Sequence, residues 1–227
     1  MYKSFDMGNT FHKDSTSGSL DFNKCMMTSY GTFSLVSSDS EGFFMSDMAT
    51  SLPMTMEQIG VPFRPFIPEV RDPNILSAIA MSENGEYVVA AYVNAIKGGN
   101  GIFISSDQGN KWATTNLHLD QFEELSLRIT NNGSVIAVIG WGRYSERNLF
   151  MTYDGGETWV EPSEELQNDA QYVTSSSDLN HIFVTSFRME PTIAVSHDQG
   201  QTFTLIELKY TNFYMFTSIS SSLDGSR

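Results

Sequence analysis

The sequence predicts an all-β fold of four-stranded antiparallel sheets arranged radially, a β-propeller. Three observations carry this: a short acidic turn motif recurs along the chain, hairpin-like segments lie between its copies, and no long helical periodicity appears. The motif reads Ser/Thr-x-Asp-x-Gly-x-Thr/Lys-aromatic. It occurs at 4–11, 105–112, 152–159 and 196–203, with a worn copy at 45–52 in which Ala49 stands in the glycine slot. Its acidic positions are Asp6, Asp47, Asp107, Asp154 and Asp198, separated by 41, 60, 47 and 44 residues. Propeller blades repeat every 40–50 residues or so. The long gap contains a proline-rich insertion.

The strands follow from the segments between these motifs. Residues 77–93, 125–141 and 171–187 each read as a strand, a polar turn and a more apolar strand, with 25–38 as a shorter version. The turns carry Gly, Asn or Asp, which tolerate positive φ. The runs YVVAAYV and IAVIG are apolar without alternation, as expected of strands covered on both faces. Each repeat thus has strands A to D, with the acidic motif as the C–D turn. In the clearest copy these fall near 75–82, 87–94, 101–106 and 111–117. The expected blades lie near 24–56, 75–117, 124–160 and 170–208, within one domain over 1–227, and stack radially. Residues 162–170 suit a single helical turn.

The turn chemistry is local. Asp6, Asp107, Asp154 and Asp198 can accept backbone N–H groups within their own hairpins. Gly8, Gly109, Gly156 and Gly200 supply left-handed backbone. Phe11, Trp112, Trp159 and Phe203 can fold back as apolar plugs. On these residues the chain resembles the Asp-box, or BNR, repeat superfamily, which includes sialidases, sortilin-type receptors, certain β-glucanases and a photosystem II assembly factor. The resemblance implies a propeller with structural Asp-boxes placed away from any catalytic face. It says little about activity.

The chain opens inside a C–D hairpin and closes inside an A–B hairpin. Two readings stand. The ends could combine into a fifth blade lacking strand B, or the chain could be part of a longer ring. Open sheet edges are an aggregation hazard, which favours a fragment, or a short ring completed by partner chains in an oligomer or larger assembly.

Composition narrows the partners. The 227 residues are 40% hydrophobic and carry a net charge of −14. That charge argues against a nucleic-acid surface and against a basic face for anionic lipid. No apolar run reaches the length of a membrane span. The single cysteine, Cys25, excludes an internal disulfide framework. His12, His118, His181 and His197 share no ligand spacing, and no P-loop, dinucleotide or Gly-x-Ser-x-Gly motif is present. No cofactor or metal is expected, and the compartment stays open.

A ligand face emerges from the arginines. On this scheme five of the seven arginines (Arg64, Arg71, Arg143, Arg147 and Arg188) fall in B–C or D–A connections, on one face. The expected ligand-binding set is Arg64, Lys97, Trp141, Arg143, Tyr144 and Arg188. Aromatic rings with guanidinium groups suit a glycan, a carboxylate or an acidic peptide. The competing reading is ordinary surface pairing with Glu69, Asp72, Glu146 and Glu190. The insertion at 53–73, which holds five of the seven prolines, reads either as a loop over the channel or as a docking arm for a protein partner.

The favoured function is a non-catalytic binding or assembly propeller. The alternative is a sialidase-like or glucanase-like glycoside hydrolase. A sialidase needs three convergent arginines; Arg64, Arg128 and Arg188 are the available ones, but Pro65 departs from the family's Phe/Tyr-Arg-Ile-Pro segment. A two-carboxylate hydrolase has Glu123, Glu124, Glu164 and Glu165 as candidates by their expected place in D–A connections.

Overall fold

The computed structural model describes residues 2–3, 10, 12–13, 22–27, 33–38, 42–47, 75–93, 101–109, 111–117, 122–142, 147–167, 169–186, 192–208, 216 and 218–227. Among the described residues, sixteen strands form five antiparallel sheets of consecutive strands. A two-stranded sheet pairs β1 (Tyr2–Lys3) with β2 (His12–Lys13). The next holds β3 (Phe22–Met27), β4 (Phe33–Ser38) and β5 (Gly42–Asp47). A four-stranded sheet follows: β6 (Ile75–Met81), β7 (Val88–Val93), β8 (Gly101–Ser105) and β9 (Ala113–Thr114). The third large sheet has β10 (Phe122–Ile129), β11 (Ile136–Gly142) and β12 (Arg147–Thr152). The fourth has β13 (Ala170–Ser175), β14 (Ile182–Ser186), β15 (Thr192–Ser196) and β16 (Thr204–Glu207).

The fourth position of the third large sheet is a single bridge, Met151 to Val160. Pro162 stands two residues on and has no N–H to extend the ladder. The expected helical turn is a 3-10 turn at Glu164–Leu166, and Leu166 is buried in the core. Glu123 and Glu124 lie inside β10, not in a connection, because pairing to β11 begins at Phe122 across a bulge.

The first strands pack on one another, β3 against β6, β6 against β10 and β10 against β13, and second strands join them, β7 against β10 and β11 against β13. Such a succession places strand A innermost and fans the sheets around an axis. The core is accordingly divided into layers between sheets. Along β11, Ile136 and Val138 join Ala80, Val89, Ala91 and Ile102 of the preceding sheet. The alternate residues Ala137 and Ile139 join Val173, Ile182 and Val184 of the following sheet. In β7, Val88 and Ala90 face the layer that includes Met26, while Val89 and Ala91 face the next. This two-sided burial explains the apolar runs, since each face of a middle strand is covered by a neighbouring sheet. Covering both faces removes apolar area from water at roughly 25 cal/mol per Å².

Candidate functional site

Two kinds of turn organise one end of the sheets. In the C–D turns, a Ser or Thr hydroxyl donates to the Asp two residues later. The pairs are Ser105 to Asp107 at 2.9 Å, Thr152 to Asp154 at 2.7 Å and Ser196 to Asp198 at 2.8 Å. The same hydroxyl oxygen accepts the glycine N–H of Gly109, Gly156 or Gly200, at 2.8–2.9 Å. The carboxylate then accepts the N–H of Lys111, Thr158 or Thr202. Gly156 has φ +97°, in the left-handed region that favours glycine. Trp112 and Trp159 donate their indole N–H to Gly109 and Gly156 carbonyls, at 2.7 and 3.2 Å. Hydrogen bonds from threonine, led by the Thr158 and Thr202 hydroxyls, hold Asp154 and Asp198 at about 2.

The A–B turns repeat as regularly. Ser82, Thr130, Ser176 and Ser222, spaced 48, 46 and 46 residues apart, each donate N–H to the carbonyl five residues on, of Tyr87, Val135, His181 and Arg227. Each hydroxyl oxygen also accepts the N–H of that fifth residue. An Asn or Asp two residues along (Asn84, Asn132, Asp178, Asp224) takes a further N–H. Turns of one sheet are tied together, as in Gly155 N–H to Ser134 O at 2.9 Å. Turns of adjacent sheets are tied too: Glu83 N–H donates to Asn131 Oδ1 at 2.7 Å, and Ser177 N–H to Leu223 O at 2.9 Å. The segment 218–227 therefore repeats the A–B turn geometry and lies against β13, where Ser221 donates to the Ser175 carbonyl.

The opposite end carries the described part of the expected ligand face. Trp141 is in β11, paired with Arg147 of β12 and with Glu124 of β10. Trp141 is 40% exposed, whereas Arg147 against its ring is 4% exposed. The guanidinium carbon is 4.4 Å from the ring centre, a cation–π contact that fixes the indole. A rigid outward ring can stack on an apolar ligand surface. Arg147 was placed in a connection by sequence; it is instead the first residue of β12. Arg64, Lys97, Arg143, Tyr144 and Arg188 lie outside the described residues, as do Asp6 and Gly8. Arg128 donates to the Leu127 carbonyl at 2.7 Å, and burial lowers its affinity for its proton.

A feature absent from the sequence reading is the meeting of His181 and His197, whose Nδ1 atoms are 2.8 Å apart. Their separation of 16 residues has no ligand pattern. The β14–β15 pairing Ile182 to Ser196 brings them together.

No protein-family model matches the chain, and no curated protein sequence matches it. Solved structures do. A GH74 enzyme from Niastella koreensis is similar, with TM-score 0.55 and 16% identity, over 82% of this chain and 29% of that chain. A GH74 xyloglucanase from Xanthomonas campestris gives 0.54 and 12%, over 90% of this chain and 32% of that chain. TolB from Acinetobacter baumannii gives 0.61 and 14%, over 91% and 47%. The chain thus spans less than half the length of these three structures. At such identities the likeness establishes fold alone: this is a β-propeller chain.

Proposed function

We propose that the chain is a single propeller domain of Asp-box type, acting as a non-catalytic binding or assembly module. Recognition runs through the face bearing the B–C and D–A connections, with Trp141 on it. The observation that carries this reading is the outward Trp141 ring held over buried Arg147. Propellers hold ligand sites on such loop faces while regular turns fix the blades. The net charge of −14 repels anions at long range. It therefore favours the apolar face of a neutral sugar ring stacked on Trp141. Arg143, Arg188, Arg64, Lys97 and Tyr144 would supply hydrogen bonds around that ring, or hold a carboxylate or an acidic peptide.

A glycan array alongside an acidic-peptide library tests this, with Trp141→Ala, Arg143→Ala and Arg188→Ala. Trp141→Ala should weaken the best ligand at least tenfold, about 1.4 kcal/mol. Unchanged binding in all three variants would remove the proposed face. Turnover of chromogenic glycosides by the intact protein would replace binding with hydrolysis.

A further inference from the structure

The C–D turn of the third large sheet departs from its equivalents in the second and fourth at two positions. Those two read Asp107-Gln108-Gly109-Asn110 and Asp198-Gln199-Gly200-Gln201, whereas the third reads Asp154-Gly155-Gly156-Glu157. Gln108 and Gln199 hold their place at φ 61° and 60°, and Gly155 at φ 72°. The backbone there accepts a glutamine, so what Gly155 changes is the space a side chain would fill. A cleft of about 720 Å³ opens at this point, between the outer part of the second large sheet and the turns of the third. That volume is within the range of ordinary ligand sites.

One wall of the cleft is β9 with the two residues that follow it, Ala113 to Asn116. β9 is the last strand of its sheet. Ala113 stands opposite Ile104, and the Thr115 N–H donates to the Ile102 carbonyl at 3.0 Å. Alternation along an antiparallel strand then directs the N–H and C=O of Thr114 and Asn116 away from β8. Both residues are exposed. Such an edge is a template for one more strand. The facing wall is formed by the turns of the third sheet, with Asn132, Gly133, Asp154, Gly155 and Glu157.

Charge selects the occupant. The A–B and C–D turns of these two sheets carry Glu83, Glu86, Asp107, Asp154 and Glu157 against Lys111. Among the described residues no lysine, arginine or histidine lines the cleft. Hydrogen bonds from Thr158 and Thr152 keep Asp154 ionised, and Glu157 is exposed. The groove thus pairs a free strand edge with a wall of negative charge.

We propose that β9 and the third C–D turn form a docking groove for an extended basic segment of a partner protein, added as an outer strand with lysine or arginine at alternate positions. Its backbone pairs with Thr114 and Asn116, and alternate side chains, which share one side of a strand, face Asp154 and Glu157. The probe is fluorescein-labelled acetyl-Lys-Thr-Lys-Thr-Lys-amide, titrated into the full chain and read by anisotropy. The unlabelled peptide, its Glu-Thr-Glu-Thr-Glu counterpart and cellopentaose serve as competitors. The basic peptide should compete at least tenfold better than either of the others, and should weaken as salt is added. Gly155→Gln installs the residue that equivalent turns carry, and a Cβ there meets only the Gly133 carbonyl at an ordinary 3.6 Å. It should weaken binding at least tenfold by filling the cleft, and Glu157→Gln about two- to fivefold. On the unaltered protein, bound peptide should slow hydrogen exchange at the Thr114 and Asn116 amides. Absence of binding, equal competition by the acidic peptide or cellopentaose, unchanged affinity in both variants, or slowed exchange confined to other residues would each overturn the groove.

Discussion

Gly133 is the position where the packing of one blade on the next can be tested by a single methyl group. It sits in the A–B turn of the third large sheet at φ +71°. A Cβ there would lie 2.2, 2.5 and 2.7 Å from three ring carbons of Tyr87, which ends the equivalent turn of the sheet before. Ordinary carbon contacts need about 3.5–4.0 Å, so the ring must leave its place. Gly133→Ala should cost about 1 kcal/mol for the left-handed backbone and about 1–3 kcal/mol for displacing the ring. At about 2–4 °C per kcal/mol for a chain of this size, the melting temperature should fall by roughly 4–16 °C. The same arrangement recurs where Gly225 underlies His181. Among the described A–B turns, the one non-glycine in this slot, Leu179 at φ 52°, shares an apolar cluster with the smaller Val135. Volume is therefore traded across the blade boundary. Tyr87→Val should relieve the cost, so that Gly133→Ala added to it loses only the backbone part. Urea unfolding of both single variants and the double variant reads the coupling, expected at about 1–3 kcal/mol. Additivity to within about 0.5 kcal/mol would refute the packing argument.

Other consequences follow from the C–D turns and the core. Thr152→Val removes the acceptor of the buried Gly156 N–H, and should destabilise by about 1–3 kcal/mol in urea unfolding, while Thr158→Val, at an exposed position, should cost less. Leu127, 1% exposed between the second and third large sheets, should cost about 2–5 kcal/mol as Leu127→Ala, seen as a lower urea midpoint. Asp154, Asp198 and Asp224 titrate at about 2, below the ordinary 3.8. A depressed folded value favours the folded state above the unfolded value and loses that contribution as pH falls. Melting followed by circular dichroism should therefore hold steady from neutral pH to about 5 and decline from about 4 towards 2, and Asp198→Asn should show a shallower decline.

The C–D turns could be read from sequence because all their partners fall within eight residues, as Thr152, Asp154, Gly156 and Trp159 show. The A–B turns were legible as well: the segments 77–93, 125–141 and 171–187 set Ser82, Thr130 and Ser176 at the same place, even though Leu179 stands in the glycine slot. What the sequence does not show is that each of these hydroxyls accepts the N–H of the fifth residue on. The Trp141–Arg147 contact depends on strand register across a hairpin, which composition does not set. The His181–His197 pair is similarly a product of register. Arg147 looked like loop charge because a run of polar residues precedes it, yet pairing to Trp141 draws it into the sheet.

The radial order of the blades is tested most directly by distances between equivalent turns. Spin labels attached pairwise to cysteines at the exposed positions 84, 132, 178 and 224, with Cys25→Ser, can be measured by double electron–electron resonance. Equal spacings should be found for 84–132, 132–178 and 178–224, with 84–178 and 132–224 longer and equal to each other. Unequal neighbouring spacings, or a skipped pair closer than an adjacent one, would contradict the fan of sheets.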